Sequence, residues 1–441
     1  MRAGRATVMA YNTSLGWDIK ANTPLLSGGR MRLRGDVWLA GRGEREVLSG
    51  LVAHSFNSDR RIADRIAQPP LVLHRIPAPL GEYAVEIFGH GLRLGSMEIN
   101  PATGEWVLHP SGALASILAS LGHKPAVTGR HARGRLKGKR LPSPYCSQAS
   151  YVLVDAGSHV GVARSLGETG ECKVKDVAPK GFKPLPPADP RIVAGANKDY
   201  IEGIAREAVG FIRNNTPGRG TVHVAVSGGL DSTVAAALAV RALGSGRVRL
   251  VYADTGMDPP ESRRTVERLA DRLGVQLDIV EAGVDPVREM ARRGLMSREN
   301  RWCTRLFKLE PLRRYYERRR ARVVVEGVRG WESTLRRGLP RAGVNPAIPG
   351  VRRLLPILYW RRIDVQVYAH LDGLPVNPLY EQGFTRIGCM ICPAMTLHEL
   401  RLASSRWRSF YERLAIALEP PGVKGGLEYI LSGKWRRKPG G

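Results

Sequence analysis

The chain has 441 residues, enough for two to four domains with ample core, and a hydrophobic fraction of 43% fits a soluble globular protein. Lysine and arginine (68) far outnumber aspartate and glutamate (40); the formal net charge of +28 favours polyanionic partners, although genome composition or heat adaptation yields the same arginine excess. No apolar run reaches membrane-spanning length, Arg2 and Arg5 are followed by no apolar block, and five cysteines are too few and odd for a disulfide framework; the expected setting is the cytoplasm, with cysteines as thiols or metal ligands.

The first hundred or so residues read as short strands and turns, with residues 1–60 as an N-terminal segment. The stretch Leu15-Gly16-Trp17-Asp18-Ile19-Lys20-Ala21-Asn22-Thr23-Pro24-Leu25-Leu26 resembles a zinc-ribbon start seen in archaeal relatives of the phosphoadenosine phosphosulfate (PAPS) reductase family, with Asp18 and Ala21 standing where those relatives carry cysteines. The resemblance therefore implies a degenerate ribbon without zinc. Residues 61–121, with Leu71-Val72-Leu73, Tyr83-Ala84-Val85-Glu86-Ile87 and Leu92-Arg93-Leu94, suggest a small mixed domain. Residues 122–182 open with a basic bridge carrying Lys124, Arg130, Arg133, Arg135, Lys137, Lys139 and Arg140, either a solvated linker or a track for a phosphate backbone. Tyr151–Val154 and Val160–Arg164 then form a hairpin signal around Asp155–His159, and Lys173–Val177 supplies a third strand. The order of strand, turn, Val-Gly-Val-Ala-Arg and basic strand resembles a PUA domain, a small β-barrel that binds structured RNA. Cys146 and Cys172 lack metal-ligand spacing and are expected to be ordinary thiols. Pro179–Pro190 is a proline-dense linker, and Tyr200–Ile212 is an amphipathic helix with Ile201, Ile204, Ala205, Ala208, Val209 and Ile212 on one face.

At Val222-His223-Val224-Ala225-Val226 the apolar residues alternate as in a strand, and Val234, Ala235, Leu238, Ala239 and Ala242 recur at helical spacing. Between them lies Ser227-Gly228-Gly229-Leu230-Asp231-Ser232. A glycine turn between a strand end and a helix start is an anion site, because unpaired backbone N–H groups converge there and glycine keeps no side chain in the way of a phosphate. Ser227 and Ser232 add hydroxyls, and Asp231 reads as an orienting or Mg²⁺-linked group. The loop is too short for a Walker motif and has no lysine before Ser232. It resembles the Ser-Gly-Gly-x-Asp-Ser loop of PP-loop ATP pyrophosphatases, which hold pyrophosphate while AMP is transferred.

Val248–Ala253 is a buried strand ending in Asp254-Thr255-Gly256-Met257-Asp258. Pro259 starts a helix with Val266, Leu269, Ala270 and Leu273 on its apolar face, and Gln276–Val280 is another strand. This alternation predicts an α/β fold, a doubly wound parallel sheet binding its ligand at the carboxyl ends of its strands. Asp254-Thr255-Gly256, Arg301-Trp302-Cys303-Thr304, Lys308 with Pro311, Gly327-Val328-Arg329 with Glu332-Ser333, Asn377-Pro378-Leu379-Tyr380 and Gly388-Cys389 with Cys392 follow the order found in the PAPS reductase family, spanning roughly residues 197–400. The resemblance implies an adenine-nucleotide alpha-hydrolase-like sheet. In it Ser227, Gly228, Gly229, Asp231 and Ser232 hold phosphates, Asp254 and Thr255 lie beside the nucleotide, and Arg329 faces a sulfate or phosphate. Residues 401–441 form a helical, basic tail.

Cys389 and Cys392 at one turn, joined in space by Cys303, offer three soft donors. Cluster-bearing sulfonucleotide reductases have a Cys-Cys pair where this chain has Cys303-Thr304, so the resemblance implies a [4Fe-4S] cluster held by three cysteines with one iron open, as in PP-loop tRNA thiolation enzymes. Zinc completed by His398 or water, and a redox dithiol, are the alternatives. Sulfonucleotide reductases attack sulfur with a cysteine in a C-terminal Glu-Cys-Gly segment, and no cysteine follows Cys392. The preferred reading is therefore ATP-dependent adenylation and thiolation of an RNA base, tRNA foremost. Mg²⁺ and the loop would steady departing pyrophosphate, Asp231, Lys308 and Arg329 would serve catalysis, and the sulfur donor is open. A sulfonucleotide reductase and a non-catalytic RNA-binding protein are the competing readings.

Overall fold

Val222–Val226 is buried because neighbouring strands flank it on both sides. In the computed structural model, which describes residues 14–27, 33–79, 81–128, 136–419 and 425–437, β1 (Val222–Val226) lies between β2 (Val248–Asp254) and β4 (Val323–Glu326). The sheet is completed by β3 (Gln276–Glu281), β5 (Ala342–Val344) and β6 (Arg352–Leu354), in the order β3-β2-β1-β4-β6-β5. All pairs are parallel except β5 with β6. The observed class is α/β with an open, mostly parallel sheet, and its order reverses beside β1, where such sheets place their ligands.

The chain divides into two compact units, Met1–Lys198 and Asp199–Gly441. In the second, the alanine-rich helix Leu230–Leu243 is buried over most of its length, as expected of a helix pressed onto a sheet. The helix Pro260–Leu273 starts one residue after the expected Pro259, which caps it, and closes on Gly274 at φ 62°. The amphipathic helix begins ten residues before the expected Tyr200: it runs Pro190–Asn215, with the Asp189 carboxylate accepting from the Arg191 amide at 2.7 Å. The proline and aspartate read as linker residues are a first-turn proline and its cap. Residues 401–437 are more than a tail, since Leu414, Ile430 and Trp435 enter the same apolar core as Phe307, Ile391 and Met395.

In the first unit, strands Val37–Leu39, Leu71–Ile76, Tyr83–Gly89, Leu92–Ile99 and Trp106–Pro110 form an antiparallel sheet. The expected hairpin is present as Tyr151–Ala156 with His159–Ser165, followed by Glu171–Pro179, within a second five-stranded sheet. Tyr151, Leu153, Val160 and Val162 share one core with Leu48, Leu71 and Leu114, so packing runs across positions 60/61 and 121/122, where composition suggested breaks. Gly112 admits this packing, because a Cβ there would meet the Val177 backbone at 2.6 Å. At the ribbon-like start, Gly16–Asp18 pairs with Thr23–Leu25, and Asp18 accepts from the amides of Lys20 and Ala21. Arg2, Arg5, Arg130, Arg133, Arg135 and residues 438–441 lie outside the described residues. Among the described residues no helix is long and apolar enough to cross a membrane.

One expectation about cysteine is overturned. Cys146 and Cys172 form a disulfide across 26 positions, both fully buried. Sheet register explains it: Cys172 pairs with Leu141, and the turn Pro144–Ser147 folds Cys146 back over the same strand, a proximity invisible in linear spacing. Closing a loop of this length stabilises by about 3 kcal/mol in the chain-entropy account. Cys146→Ser is expected to lower the first unit's midpoint in thermal or urea unfolding, with reductant lowering wild type equally; unfolding that ignores both would remove the bridge from the stability of this unit.

Candidate functional site

Gly228 has φ 71°, and a Cβ on it would lie 2.5 Å from the Ser262 carbonyl oxygen and 2.6 Å from Ser262 Cα. Only glycine lets the loop turn this tightly against the start of the helix Pro260–Leu273. Gly229 caps the helix Leu230–Leu243 in extended conformation, and the amides of Gly228 and Gly229 find no hydrogen-bond partner among the described residues. The hydroxyls divide their work. Ser232 Oγ accepts from the Ser227 amide at 3.1 Å and donates to the Gly229 carbonyl at 2.9 Å, so it staples the loop. Ser227 Oγ lies 3.3 Å from Ser232 Oγ and is the more exposed of the two.

Two residues of the Asn377–Tyr380 motif support this loop from behind, a role the linear pattern does not reveal. Asn377 Nδ2 donates to the Gly228 carbonyl at 3.2 Å, and the Leu230 amide donates to the Tyr380 hydroxyl at 3.1 Å. Tyr380 is itself covered by the Arg362 guanidinium, 5.0 Å from its ring centre.

Arg329 is no surface charge. It is 3% exposed, and its Nε donates to Asp231 Oδ1 at 2.8 Å, tying the end of β4 to the first turn of the loop helix. The close approach requires Gly327, where a Cβ would sit 2.5 Å from the Asp231 carbonyl and the Ser232 amide. Asp231 therefore orients an arginine, and the carboxylate that looked out of place in a phosphate cradle has a partner.

At the end of β2, Asp254 Oδ1 accepts from the Gly256 amide at 3.0 Å and Asp254 faces Arg263 at 3.6 Å. Thr255 is buried and donates through its amide (3.0 Å) and hydroxyl (2.9 Å) to Asp258 Oδ2. Burial pushes the Asp258 carboxyl up in spite of those bonds and of Lys308 nearby. Glu326, at the end of β4, is pushed up by burial although Arg353, Lys308 and Arg336 oppose it. Lys308 thus acts on both acids from a π-helical segment, Arg305–Leu309, wedged between Trp302–Thr304 and the helix Glu310–Arg319. Such bulges cluster at functional sites, and nothing in the apolar pattern foretold this one.

Cys389 Sγ lies 3.7 Å from Thr255 Oγ1 and 3.7 Å from Asp258 Oδ1, and the Met390 amide donates to the Met257 carbonyl at 2.7 Å. The Cys389–Cys392 turn is thereby pinned to the strand end beside the glycine loop; Ile387 Cβ is 3.9 Å from where a Gly229 Cβ would be. Burial drives Cys389 well above the ordinary thiol range, with Asp258 and Cys392 adding to it. Cys303 is raised by burial too, with Cys392 close enough to add to it. The three sulfurs line one apolar cluster, with Arg386 near Cys392 and Cys389. As soft donors they suit iron–sulfur or zinc chemistry in kind, but the fit is incomplete: among the described residues no group of three or more His, Cys, Asp or Glu is placed to hold a metal ion. His398 has its pKa lowered by burial.

A strand, a glycine turn and a helix at the switch point of a parallel sheet, backed by an arginine–aspartate pair, define an α/β protein of the PP-loop, adenine-nucleotide alpha-hydrolase-like class. Residues 221–395 match the family model of the phosphoadenosine phosphosulfate reductase domain. Adenosine 5'-phosphosulfate reductase 1 of Bacillus subtilis is 31% identical over 169 residues, 36% of this chain and 68% of the relative. An uncharacterized protein of Methanocaldococcus jannaschii is 27% identical over 416 residues, 91% of this chain and 95% of its own length. The crystal structure of PAPS reductase from Candida auris in its phosphate complex superposes with TM-score 0.35 at 21% identity, over 44% of this chain and 95% of that one. The chain belongs to the phosphoadenosine phosphosulfate reductase family.

Proposed function

We propose that the second unit binds ATP at Ser227–Ser232 and transfers AMP to a carbonyl oxygen of an RNA base, which sulfur then replaces as AMP departs. The observation that carries this reading is the loop itself: Gly228 wedged against Ser262, with the amides of Gly228 and Gly229 at a helix start where a phosphate tail is stabilised. Ser227 Oγ adds a donor, Ser232 keeps the loop shut, and Asp231 holds Arg329 at the phosphate side. Asp254 and Thr255 border the nucleotide. Lys308 brings a positive charge to the strand ends, where charge builds on the departing pyrophosphate. Mg²⁺ fits as a companion of the phosphates, keeping much of its water, and needs no protein cage. The thiols Cys303, Cys389 and Cys392 are the sulfur-handling side of the pocket. The net charge of +28 and the resemblance of residues 122–182 to an RNA-binding module favour RNA as substrate.

The experiment is release of radiolabelled pyrophosphate from ATP by anaerobically purified protein, with and without tRNA, alongside iron and sulfide analysis. RNA-stimulated release lost in Asp231→Ala is the expected result. Sulfite release from adenylylsulfate or PAPS with a thiol reductant, and none of pyrophosphate from ATP, would replace the proposal with sulfonucleotide reduction. That second reading is favoured by the kinship with the Bacillus subtilis reductase. RNA binding without any nucleotide binding would leave only the non-catalytic reading.

A further inference from the structure

Next to the glycine-loop pocket the second unit carries an exposed surface on which aromatic rings and arginines interleave. The Gly330 amide donates to the Leu358 carbonyl at 2.7 Å and Trp331 Nε1 to the Tyr359 carbonyl at 3.4 Å, so the segment leaving buried Arg329 runs beside residues 358 and 359. Tyr359 is 68% exposed. A lone exposed ring needs no explanation, but this one is braced. The Arg341 guanidinium lies 5.6 Å from its ring centre and 4.1 Å from that of Phe211, and is itself fixed by Glu207 and by the Pro356 carbonyl, both at 2.9 Å. A ring already held in place loses little further freedom when a flat partner stacks on it.

The arginines around Trp331 are placed as well. The Arg337 guanidinium lies 4.9 Å from the indole centre and that of Arg361 5.8 Å, within cation–π range. Arg336 pairs with Glu332 and Arg341 with Glu207, whereas Arg337 is exposed and makes no ion pair with any described residue. Aromatic faces on which any base can stack, set among cations that meet phosphates, are the makings of a platform for single-stranded nucleic acid. We propose that this surface binds single-stranded RNA, with a base stacked on Tyr359 and backbone phosphates at Arg337 and Arg361. The surface is contiguous with the pocket: Arg329, which precedes Gly330 and Trp331, holds Asp231, and Arg386 lies near both Glu332 and the thiols Cys389 and Cys392. A strand lying here can therefore reach the glycine loop. That the strand is RNA, and that one of its bases is the substrate, rests on the adenylation reading above; the platform itself does not.

The test irradiates the full-length protein with an oligouridine of about twelve nucleotides carrying iodouridine, whose excited base bonds to a stacked aromatic ring, and locates the adduct by mass spectrometry. Affinity for the same oligonucleotide is measured in parallel by fluorescence anisotropy without ATP. An adduct on Tyr359 or Trp331 is expected. Tyr359→Ala should bind about tenfold more weakly while Tyr359→Phe binds like wild type, and Arg337→Gln should lower the slope of log affinity against log salt by roughly 0.7, the share of one phosphate on a single strand. Both side chains are exposed, so melting should hold. Adducts found only elsewhere in the chain, affinity unchanged in Tyr359→Ala, a loss in Tyr359→Phe as large as in Tyr359→Ala, or a salt slope unchanged in Arg337→Gln would overturn the platform. The two readings fail separately. RNA-stimulated pyrophosphate release with adducts only elsewhere removes this surface and keeps adenylation, whereas an adduct on Tyr359 with no pyrophosphate released from ATP removes adenylation and keeps this surface.

Discussion

Gly228→Val is expected to abolish ATP binding, lowering affinity at least about a hundredfold, whereas Gly229→Ala should leave the fold intact. The two neighbours differ in what a side chain would meet. At Gly228 the new atoms fall on backbone of Ser262 at 2.5–2.6 Å, which cannot swing aside, and φ of 71° is closed to a β-branched residue. Strain of this kind costs on the order of 1–3 kcal/mol before the clash is counted, so the loop must open and its amides lose their convergence. At Gly229 the nearest atoms are Ser227 Oγ and Tyr380 Oη, both at 3.5 Å, an ordinary contact. A methyl group there disturbs nothing in the protein and intrudes only on a phosphate approaching the helix start. Gly229→Ala should thus melt within a few degrees of wild type yet bind ATP about tenfold or more weakly by calorimetry. Unchanged affinity in Gly229→Ala would move the phosphates away from this turn, and unchanged affinity in Gly228→Val would dismiss the loop altogether.

Why the loop was readable and its supports were not is a matter of range. Ser227–Ser232 lies between a valine strand and an alanine helix, so the change of period marks the turn locally. β2 and β3 and the helix between them follow from the same alternation, with ends displaced by one residue. The buttress of the loop is assembled from residues about 100 to 150 positions away: Arg329 on Asp231, Asn377 on Gly228 and Tyr380 on Leu230. No periodicity encodes such contacts. Likeness to a family flagged those residues, while their division of labour, such as Ser232 closing the loop and Asp231 gripping an arginine, required coordinates. Asp258 and Glu326 escaped for a related reason. A carboxylate becomes unusual through burial, and burial at a strand's carboxyl end depends on what folds over it, here Lys308 and the Cys389 turn. The disulfide was missed because an odd cysteine count concealed one pair among three thiols.

Asp231→Ala should be the most destabilising single change at the site, by about 3–5 kcal/mol, because it takes the carboxylate bonded at 2.8 Å away from a guanidinium whose side chain is 4% exposed. Arg329→Ala should cost less: the Asp231 side chain is 21% exposed, and the freed carboxylate can take up water. Asp231→Asn keeps an oxygen for the Arg329 Nε–H but loses the charge, and belongs between the two. The asymmetry distinguishes a buried ion pair from a solvent-screened one, for which either truncation would cost under about 1 kcal/mol. Urea unfolding of the three variants measures it, and Asp231→Ala/Arg329→Met completes a double-mutant cycle. With both members of this pair removed, the double variant should regain much of what Asp231→Ala loses, while still binding ATP poorly because the arginine is gone. If instead the double variant is as unstable as Asp231→Ala, the loss arises from the helix start itself, where Asp231 also favours the positive end of Leu230–Leu243.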